Sequence, residues 1–528
     1  MSRQQRLTLV ATILGSTVVF LDGTVVNVAL PAIGDDLRAG LAGQQWVVEA
    51  YMLTMVSLLL VGGSLGDQFG RRRMYVAGLI GFGATSALCA VSPSDEFLVG
   101  ARALQGIAGA LLVPGSLAIV AATFEGAERG KAVGTWTAWT GIATVLGPAG
   151  GGALIGLLSW RAIFWVNLPL IAATVVLTLR SVEESSDPDA FRGIDWPGIG
   201  LSAAGLGGPV FALIEQPTHG WSDPLVWVPL LAGLACFALF LLYEARARHP
   251  MLDLALFRIR NFAIANLTTL SAYAGLIGGL FFVALFLQQV AGYSAFEAGL
   301  ATTPISILLF LLSPRFGRLA SGTGPRLPMT AGPIVGGLGL LLMLRVGADA
   351  DYVSEVLPAI VVFGLGLSAT VAPLTATVLD SVEERQVGIA SGVNNGVSRV
   401  AGLLAIAVLG AVISAHFGAS LGQRPLTPAA SRVVADAKAQ PLAVPGVERL
   451  APAEARRVEA ASVDASTSAF HLGVLIAGLL MIAGGAAAGF GIVDPKNRAR
   501  SSLVTQRDTS DERVDGGDAE EAPASEPA

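Results

Sequence analysis

The sequence predicts an all-helical protein that crosses a membrane many times. Composition is the first reason: 53% of the 528 residues are hydrophobic and only 14% are charged, where soluble proteins carry roughly 25%. Mean hydropathy is +0.66. The second reason is length, since apolar runs recur at about the twenty residues a helix needs to cross a hydrocarbon core roughly 30 Å thick. The third is periodicity: no run alternates with period two, which argues against a barrel. The 64 glycines suit helices that approach closely through small faces.

Hydropathy predicts fourteen spans, at about 7–30, 46–66, 74–92, 96–121, 131–157, 162–180, 196–215, 224–243, 262–288, 296–314, 327–345, 354–379, 387–414 and 467–492. The leading MSRQQR is basic and runs into the first span without a small-residue cleavage site, so that helix is expected to be retained. Basic residues set the orientation. Arg3 and Arg6, Arg71 to Arg73, Arg129 and Lys131, Arg180 and Arg192, Arg246, Arg248, Arg258, Arg260, Arg315, Arg318, Arg326 and Arg385 fall on one side; Arg38, Arg161 and Arg345 fall on the other. The rich side is expected to be cytoplasmic, with both termini inside and the chain in the plasma membrane.

Two segments fall outside the spans. Residues 415–466 read as a long outer loop in which PAEARRVEAASVDAS forms a short surface helix. Residues 494–528 are acidic and polar and read as a disordered tail. A weak repeat links SLGDQFGRRR, after span two, to SPRFGRLASGTGPR, after span ten. It suggests two related halves: a six-helix bundle over 1–180, two inserted helices within 181–261, and a second bundle over 262–493.

The first span holds the residue that most needs explaining. Asp22 lies in TILGSTVVFLDGTVVNVALP, and an ionised carboxylate in lipid costs at least ~2.5 kcal/mol. A partner, a water-filled cavity or a proton must offset that cost, and each points to a path through the membrane. Thr24 and Asn27 add polar groups to the same helix. Arg102, in LVGARALQGIAGA, is a guanidinium within span four that either snorkels or meets a buried acid. Asp22 lies roughly 13 Å and Arg102 roughly 9 Å below the same surface, at 1.5 Å per residue, so the two meet if helices one and four are neighbours.

Other motifs follow in chain order. Glu49, in WVVEAYML, is a second acid in span two, either interfacial or facing a cavity. In GSLGDQFGRRR the glycines Gly63, Gly66 and Gly70 permit a tight turn, and Asp67 is expected at the start of the following helix, where the dipole favours a carboxylate. Arg71, Arg72 and Arg73 complete that loop. In GIATVLGPAGGGALIG, from Gly141 to Gly156, the pairs Gly147/Gly151 and Gly152/Gly156 make close-packing faces and Pro148 removes a backbone hydrogen bond. SWRAIFWVNLP reads as an outer turn with an aromatic belt. Asn27, Gln105, Asn394, Asn395 and Arg399 are polar groups within spans, either interhelical bridges or the lining of a substrate cavity. Glu215 and Glu297 sit at span ends and are expected to be solvated. The histidines lack ligand spacing and the two cysteines lie in apolar spans, so no metal or disulfide is expected. No G-x-x-x-x-G-K-[ST] loop occurs, so ATP hydrolysis by this chain is not expected, nor is enzymatic activity or binding of nucleic acid.

LDGTVVNVALP, GSLGDQFGRRR, Arg102 with Gln105–Gly106, and the Gly147–Pro148–Gly151 helix together resemble the major facilitator superfamily, in its drug:proton antiporter branch with fourteen spans, the EmrB/QacA type. The resemblance implies two six-helix bundles plus two extra helices around a cavity open alternately to each side. It implies export of amphipathic, often cationic compounds in exchange for protons, with no further cofactor and with the chain acting as a monomer in the bilayer. Asp22 and Arg102 would take part in proton coupling, Asp67 and Arg71 to Arg73 would form a cytoplasmic gate, and the Gly147–Pro148 helix would be the antiporter signature; Glu49 stands where such proteins usually carry a small uncharged residue, and it is expected to join Asp22 and Arg102 in proton coupling or to bear on the substrate. The alternatives are a dedicated exporter of one natural product, lipid or siderophore, and a membrane sensor without transport.

Overall fold

The computed structural model describes residues 1–494 apart from 125, 187–194, 248–249, 251, 384–385, 423–441 and 443–449; the side chains of 60, 126–127, 130, 137–138, 141–146, 388 and 422 also lie outside the description. The described chain is a series of helices joined mostly by short turns. These are α1 (Arg3–Leu37), α2 (Leu41–Phe69), α3 (Arg71–Ala90), α4 (Asp95–Thr123), α5 (Gly126–Leu157), α6 (Ala162–Ser181), α7 (Trp196–His219), α8 (Pro224–Glu244), α9 (Arg260–Gln289), α10 (Ala295–Thr323), α11 (Arg326–Arg345), α12 (Tyr352–Asp380), α13 (Val387–Gly422) and α14 (Pro452–Gly491). No strand occurs among the described residues. Twelve helices are each long and apolar enough to cross a membrane, and α2, counted through its bend, makes thirteen. Helix α5, 32 residues long, is not in that number, so the expectation of fourteen crossings exceeds what length and composition support among the described residues.

Helices begin where the sequence supplies acceptors for the free N–H groups of a first turn. Ser2 and Ser294 open α1 and α10 with capping boxes closed by Gln5 and Glu297. Glu297 is exposed, and its carboxylate accepts from the Ser294 N–H at 2.8 Å. Ser94, Asp195 and Asp223 cap α4, α7 and α8. Helix α2 bends by 50° between Leu59 and Val61, beside Gly62–Gly63–Ser64, the kind of sequence at which helices kink. The segment PAEARRVEAASVDAS is not a separate surface helix. It forms the first turns of the 40-residue α14, because Val458, Ala461, Ala465 and Ala469 repeat at helical spacing and are all buried. Residues 495–528 and half of the segment 415–466 lie outside the described residues.

Odd-numbered helices begin at the end of the molecule that carries most of the arginines, here the basic end; the opposite end is the far end. Helix α1 packs on α4, α5 and α6, α2 on α4, and α3 on α4 and α6. Likewise α9 packs on α13 and α14, α11 on α12 and α14, and α10 on α12. Helices α7 and α8 pack on each other, and α7 also lies against α2 and α13. The first and second groups touch through α5 and α10, α2 and α13, and α1 and α9.

Where the apolar cores lie distinguishes the two ends. One large core combines far-end residues of both groups, including Val26, Leu30 and Ile33 of α1, Phe282 and Phe286 of α9, Ile305 of α10 and Ile406 of α13. Toward the basic end the cores are separate among the described residues. Val18, Tyr75 and Ile119 belong to a core of the first group, and Phe262, Met329 and Ala488 to one of the second. Burying apolar surface holds surfaces together in proportion to the area removed from water, so the far end is the sealed one.

Candidate functional site

Asp22 and Arg102 meet in the interior. Asp22 is 2% and Arg102 1% exposed, and the guanidinium donates to the carboxylate at 2.5 Å. Arg102 therefore turns into the bundle and does not snorkel. The same terminal nitrogen also reaches Gln105 Oε1 at 2.6 Å, and Nε–H reaches the Val47 carbonyl at 3.0 Å. Gln105 and Asn167 then donate to the second Asp22 oxygen at 3.2 and 3.4 Å. Asn167 also reaches Ser86 Oγ at 3.1 Å. The Tyr51 ring lies under the guanidinium, 4.3 Å from its centroid, where a cation is attracted to the ring face. Helices α1, α2, α3, α4 and α6 thus converge on one ion pair. A buried pair offsets its desolvation only when the spare lone pairs and protons find partners, and here the network supplies them.

The sequence pointed to Asp22, Arg102 and Gln105 but missed Asn167, Ser86, Tyr51 and the Val47 carbonyl. Asn167 carried a signal, as a lone amide in the apolar surroundings AIFWVNLP that were read only as an aromatic belt; Ser86 and Val47 carried none. The same turn instead forms a far-end clamp, in which Trp160 Nε1 and Arg161 both donate to Asp36, at 3.1 and 2.5 Å.

Glu49 is neither interfacial nor solvated. It is fully buried, and among the described residues no hydrogen-bond donor reaches either carboxylate oxygen. One turn away, Gln45 donates to the Ile406 carbonyl of α13 at 2.8 Å, joining the two groups. Asn27 is half-buried, with its Oδ1 unpartnered. Asn394 bridges α13 to α9, donating to Thr269 at 2.7 Å and Asn266 at 3.2 Å. Asn395 is exposed and donates to its own helix at Ser391. Arg399 reaches across from α13 to Met55 Sδ of α2 at 3.7 Å and has no acidic partner among the described residues. Glu215 is held by Trp46 Nε1 at 2.9 Å, which its reading as a solvated acid did not foresee. A mostly apolar cavity of about 520 Å³ lies toward the basic end between α2, α7, α8, α9 and α13, with Ser57, Leu206, Phe240, Asn266 and Val400 in its wall.

The GSLGDQFGRRR motif departs from expectation in one respect. Helix α2 continues to Phe69, so Asp67 sits in its last turn and not at the start of α3. Its partner is Arg71, at 2.7 Å. The acid at the α3 start is Glu184, which follows α6: it accepts from the Arg72 N–H at 3.0 Å and lies 3.8 and 3.6 Å from the Arg72 and Arg73 side chains. Gly70 breaks the chain at φ 106°, a left-handed conformation, and a Cβ there would strike Glu184. Gly63 and Gly66 are ordinary helical positions of α2, with Gly63 facing Pro114 of α4.

On α5, Gly147 and Gly151 lie against Thr24 and Val25 of α1, so close that a Cβ at either would overlap those side chains. Gly152 faces the backbone of Ala295 on α10, and Gly299 of α10 faces the Pro148 carbonyl. The helix thus presents one small face to α1 and another to α10. Gly156 has open space beside it, and Gly141 falls among the residues whose packing lies outside the description. No cluster of His, Cys, Asp and Glu with metal-binding geometry occurs among the described residues.

A family model described as Major Facilitator Superfamily matches residues 12–406. The multidrug resistance protein Stp of Mycobacterium tuberculosis is 37% identical over 422 residues, 80% of this chain and 78% of that one. The tetracenomycin C resistance and export protein of Streptomyces glaucescens is 34% identical over 411 residues, 78% of this chain and 76% of that one. A crystal structure of a bacterial homolog of the human lysosomal transporter Spinster, in an inward-facing and unoccupied conformation, superposes with a TM-score of 0.64 at 16% identity, covering 94% of this chain and 100% of that one. At that identity the likeness concerns the fold.

Proposed function

Since the chain belongs to the major facilitator superfamily, we propose that it is an efflux transporter that exports amphipathic drugs or toxic compounds by alternating access, driven by protons moving the other way. The observation that carries this reading is the buried Asp22–Arg102 pair with its Gln105 and Asn167 donors. Such a pair at membrane depth marks a transport or proton pathway. Protonation of Asp22 removes its charge and frees Arg102 to rearrange, which gives the two states of the site different energies, as any coupling between sites requires.

The basic end is assigned to the cytoplasm by its arginines, placing both termini inside and the chain in the plasma membrane. The sealed far end then faces outward, so this conformation opens toward the cytoplasm. We assign α1–α6 and α9–α14 to the two moving bundles, with α7 and α8 inserted between them; α5 and the bent α2 bring the spans to fourteen, the EmrB/QacA arrangement. Asp67, Arg71, Arg72 and Arg73 with Gly70 are assigned to the cytoplasmic gate. The small face that α5 turns to α10 lets the two bundles move against each other, while its other small face holds it to α1 within the first bundle. Asn27, Arg399 and the apolar cavity beside α13 are assigned to the substrate path, in a protein acting as a monomer.

The test is drug efflux from membrane vesicles under an imposed pH gradient. Asp22→Asn is expected to abolish gradient-driven transport while leaving the protein folded; full retention would exclude the coupling role. A second reading, export of one natural product, is favoured by the likeness to a protein named for tetracenomycin C export. A resistance screen in an efflux-deficient host separates the two by breadth.

A further inference from the structure

We propose that Glu49 is a second proton-binding group, loaded from the far side of the membrane, and that its protonation is the condition for the far end to close. The inference rests on the alternating-access reading above and concerns a different acid from Asp22.

Glu49 lies eight residues into α2 from Leu41, roughly 12 Å from the far-end start of that helix at 1.5 Å per residue. It sits one turn below Gln45, whose amide bonds the α13 backbone across the two groups, and next to Val47 and Val48, which belong to the core shared by both. Its carboxyl is 0% exposed, with no donor on either oxygen among the described residues. The charged and titratable groups within the bundle on α2 and the helices packed against it are Asp22 on α1, Tyr51 on α2, Cys89 on α3, Arg102 on α4 and Arg399 on α13, with Glu215 on α7 toward the far surface. Asp22 and Arg102 are bonded to each other, Glu215 is bonded to Trp46, and Arg399 lies against Met55; the arginines of α3 are at the opposite end of the bundle.

An ionised carboxylate cannot stay in such a place, because a buried charge with neither partner nor hydrogen bond takes up a proton instead. Glu49 is therefore a neutral carboxylic acid whenever the far end is sealed as here. Asp22 is the opposite case, since Arg102, Gln105 and Asn167 accommodate its charge in the same interior. Separating α2 from α13 admits far-side water, and Glu49 then ionises by giving its proton to that water. Re-sealing requires the proton back from the same side. In the conformation sealed at the far end the carboxyl is unexposed, so the basic end does not reach it. Glu49 thus responds to far-side acidity and adds no proton to those carried per substrate.

Infrared spectroscopy and spin-label distances on the full chain in lipid nanodiscs test this. The C=O stretch of a neutral carboxyl is expected in the wild type near neutral pH, absent in Glu49→Gln and retained in Asp22→Asn. Spin labels replacing the exposed Pro93 and Asp349, at the far ends of the two groups, should report a closed population that grows on acidification. In Glu49→Gln and in the apolar Glu49→Met that population should be large at every pH. The number of protons exchanged per substrate should match wild type in both variants. Persistence of the carboxyl band in Glu49→Gln, unchanged pH dependence of the distance, or loss of one proton per substrate would each overturn the proposal. Failure of the Asp22 reading would appear separately, as gradient-driven transport by Asp22→Asn.

Discussion

The two six-helix groups use the same device at the basic end and opposite ones in the interior. In the first group a glycine at φ 106° separates α2 from α3, and an acid following α6, Glu184, accepts from the backbone N–H of Arg72. In the second a glycine at φ 102° separates α10 from α11, and an acid following α14, Asp494, accepts from the backbone N–H of Arg326 at 3.1 Å. Each last helix of a group thus hands an acid to the turn that begins that group's third helix. The interiors differ. The first group carries a buried ion pair with three hydrogen-bonding partners, Gln105, Asn167 and the Val47 carbonyl, whereas the interior of the second carries a neutral bridge from Asn394 to Asn266 and Thr269. A shared hinge with unlike interiors means that the repeat preserves the mechanics of the turn, while among the described residues a buried ion pair lies in the first half and the interior of the second holds Arg399, a charge without an acidic partner.

The largest test of that contrast is in the first interior. Arg102→Met leaves the Asp22 charge buried without its partner, a loss of about 3–5 kcal/mol, read as a lower melting temperature in detergent. Asp22→Leu combined with Arg102→Met removes both charges and is expected to recover most of that stability. If single and double variants melt alike, the pair is not coupled. A smaller effect is expected at the hinges. Gly70→Ala and Gly324→Ala each force a side chain into the left-handed region at about 1–2 kcal/mol and push against Glu184 or Asp494. Comparable losses at both sites would support the shared device; a loss at one alone would break it. Smallest are the acids themselves. Glu184→Gln is expected to cost about 0.2–1 kcal/mol and more than Asp494→Asn, because Glu184 also meets the Arg72 and Arg73 side chains, and high salt should shrink the difference.

These comparisons separate what was legible in the residues from what was not. The spans were legible because a helix in lipid must satisfy its own backbone, leaving only its apolar length to read. Asp22 and Arg102 were legible as a pair because both are costly and their depths follow from residue counts. Glu184 was not, since its role depends on where the chain leaves α6 relative to the start of α3, which no local pattern encodes. Asp67 was misplaced for a related reason: the helix runs through Gly66 and breaks only at Gly70, where the tertiary contact with Glu184 leaves no room for a Cβ. The surface helix at 452–466 merged into α14 because its small apolar stripe found a buried neighbour.

By itself the sequence determined that the chain is a bundle of membrane-length helices, which end carries the positive charge, and that one acid and one arginine lie at matching depth. Those properties follow from hydropathy, charge count and the fixed rise of a helix, all local quantities. Only the tertiary structure decided that Asp22 is fully partnered while Glu49 is not, because a carboxylate's state depends on the donors that other helices bring within reach, and those helices are separated from it by tens to hundreds of residues along the chain.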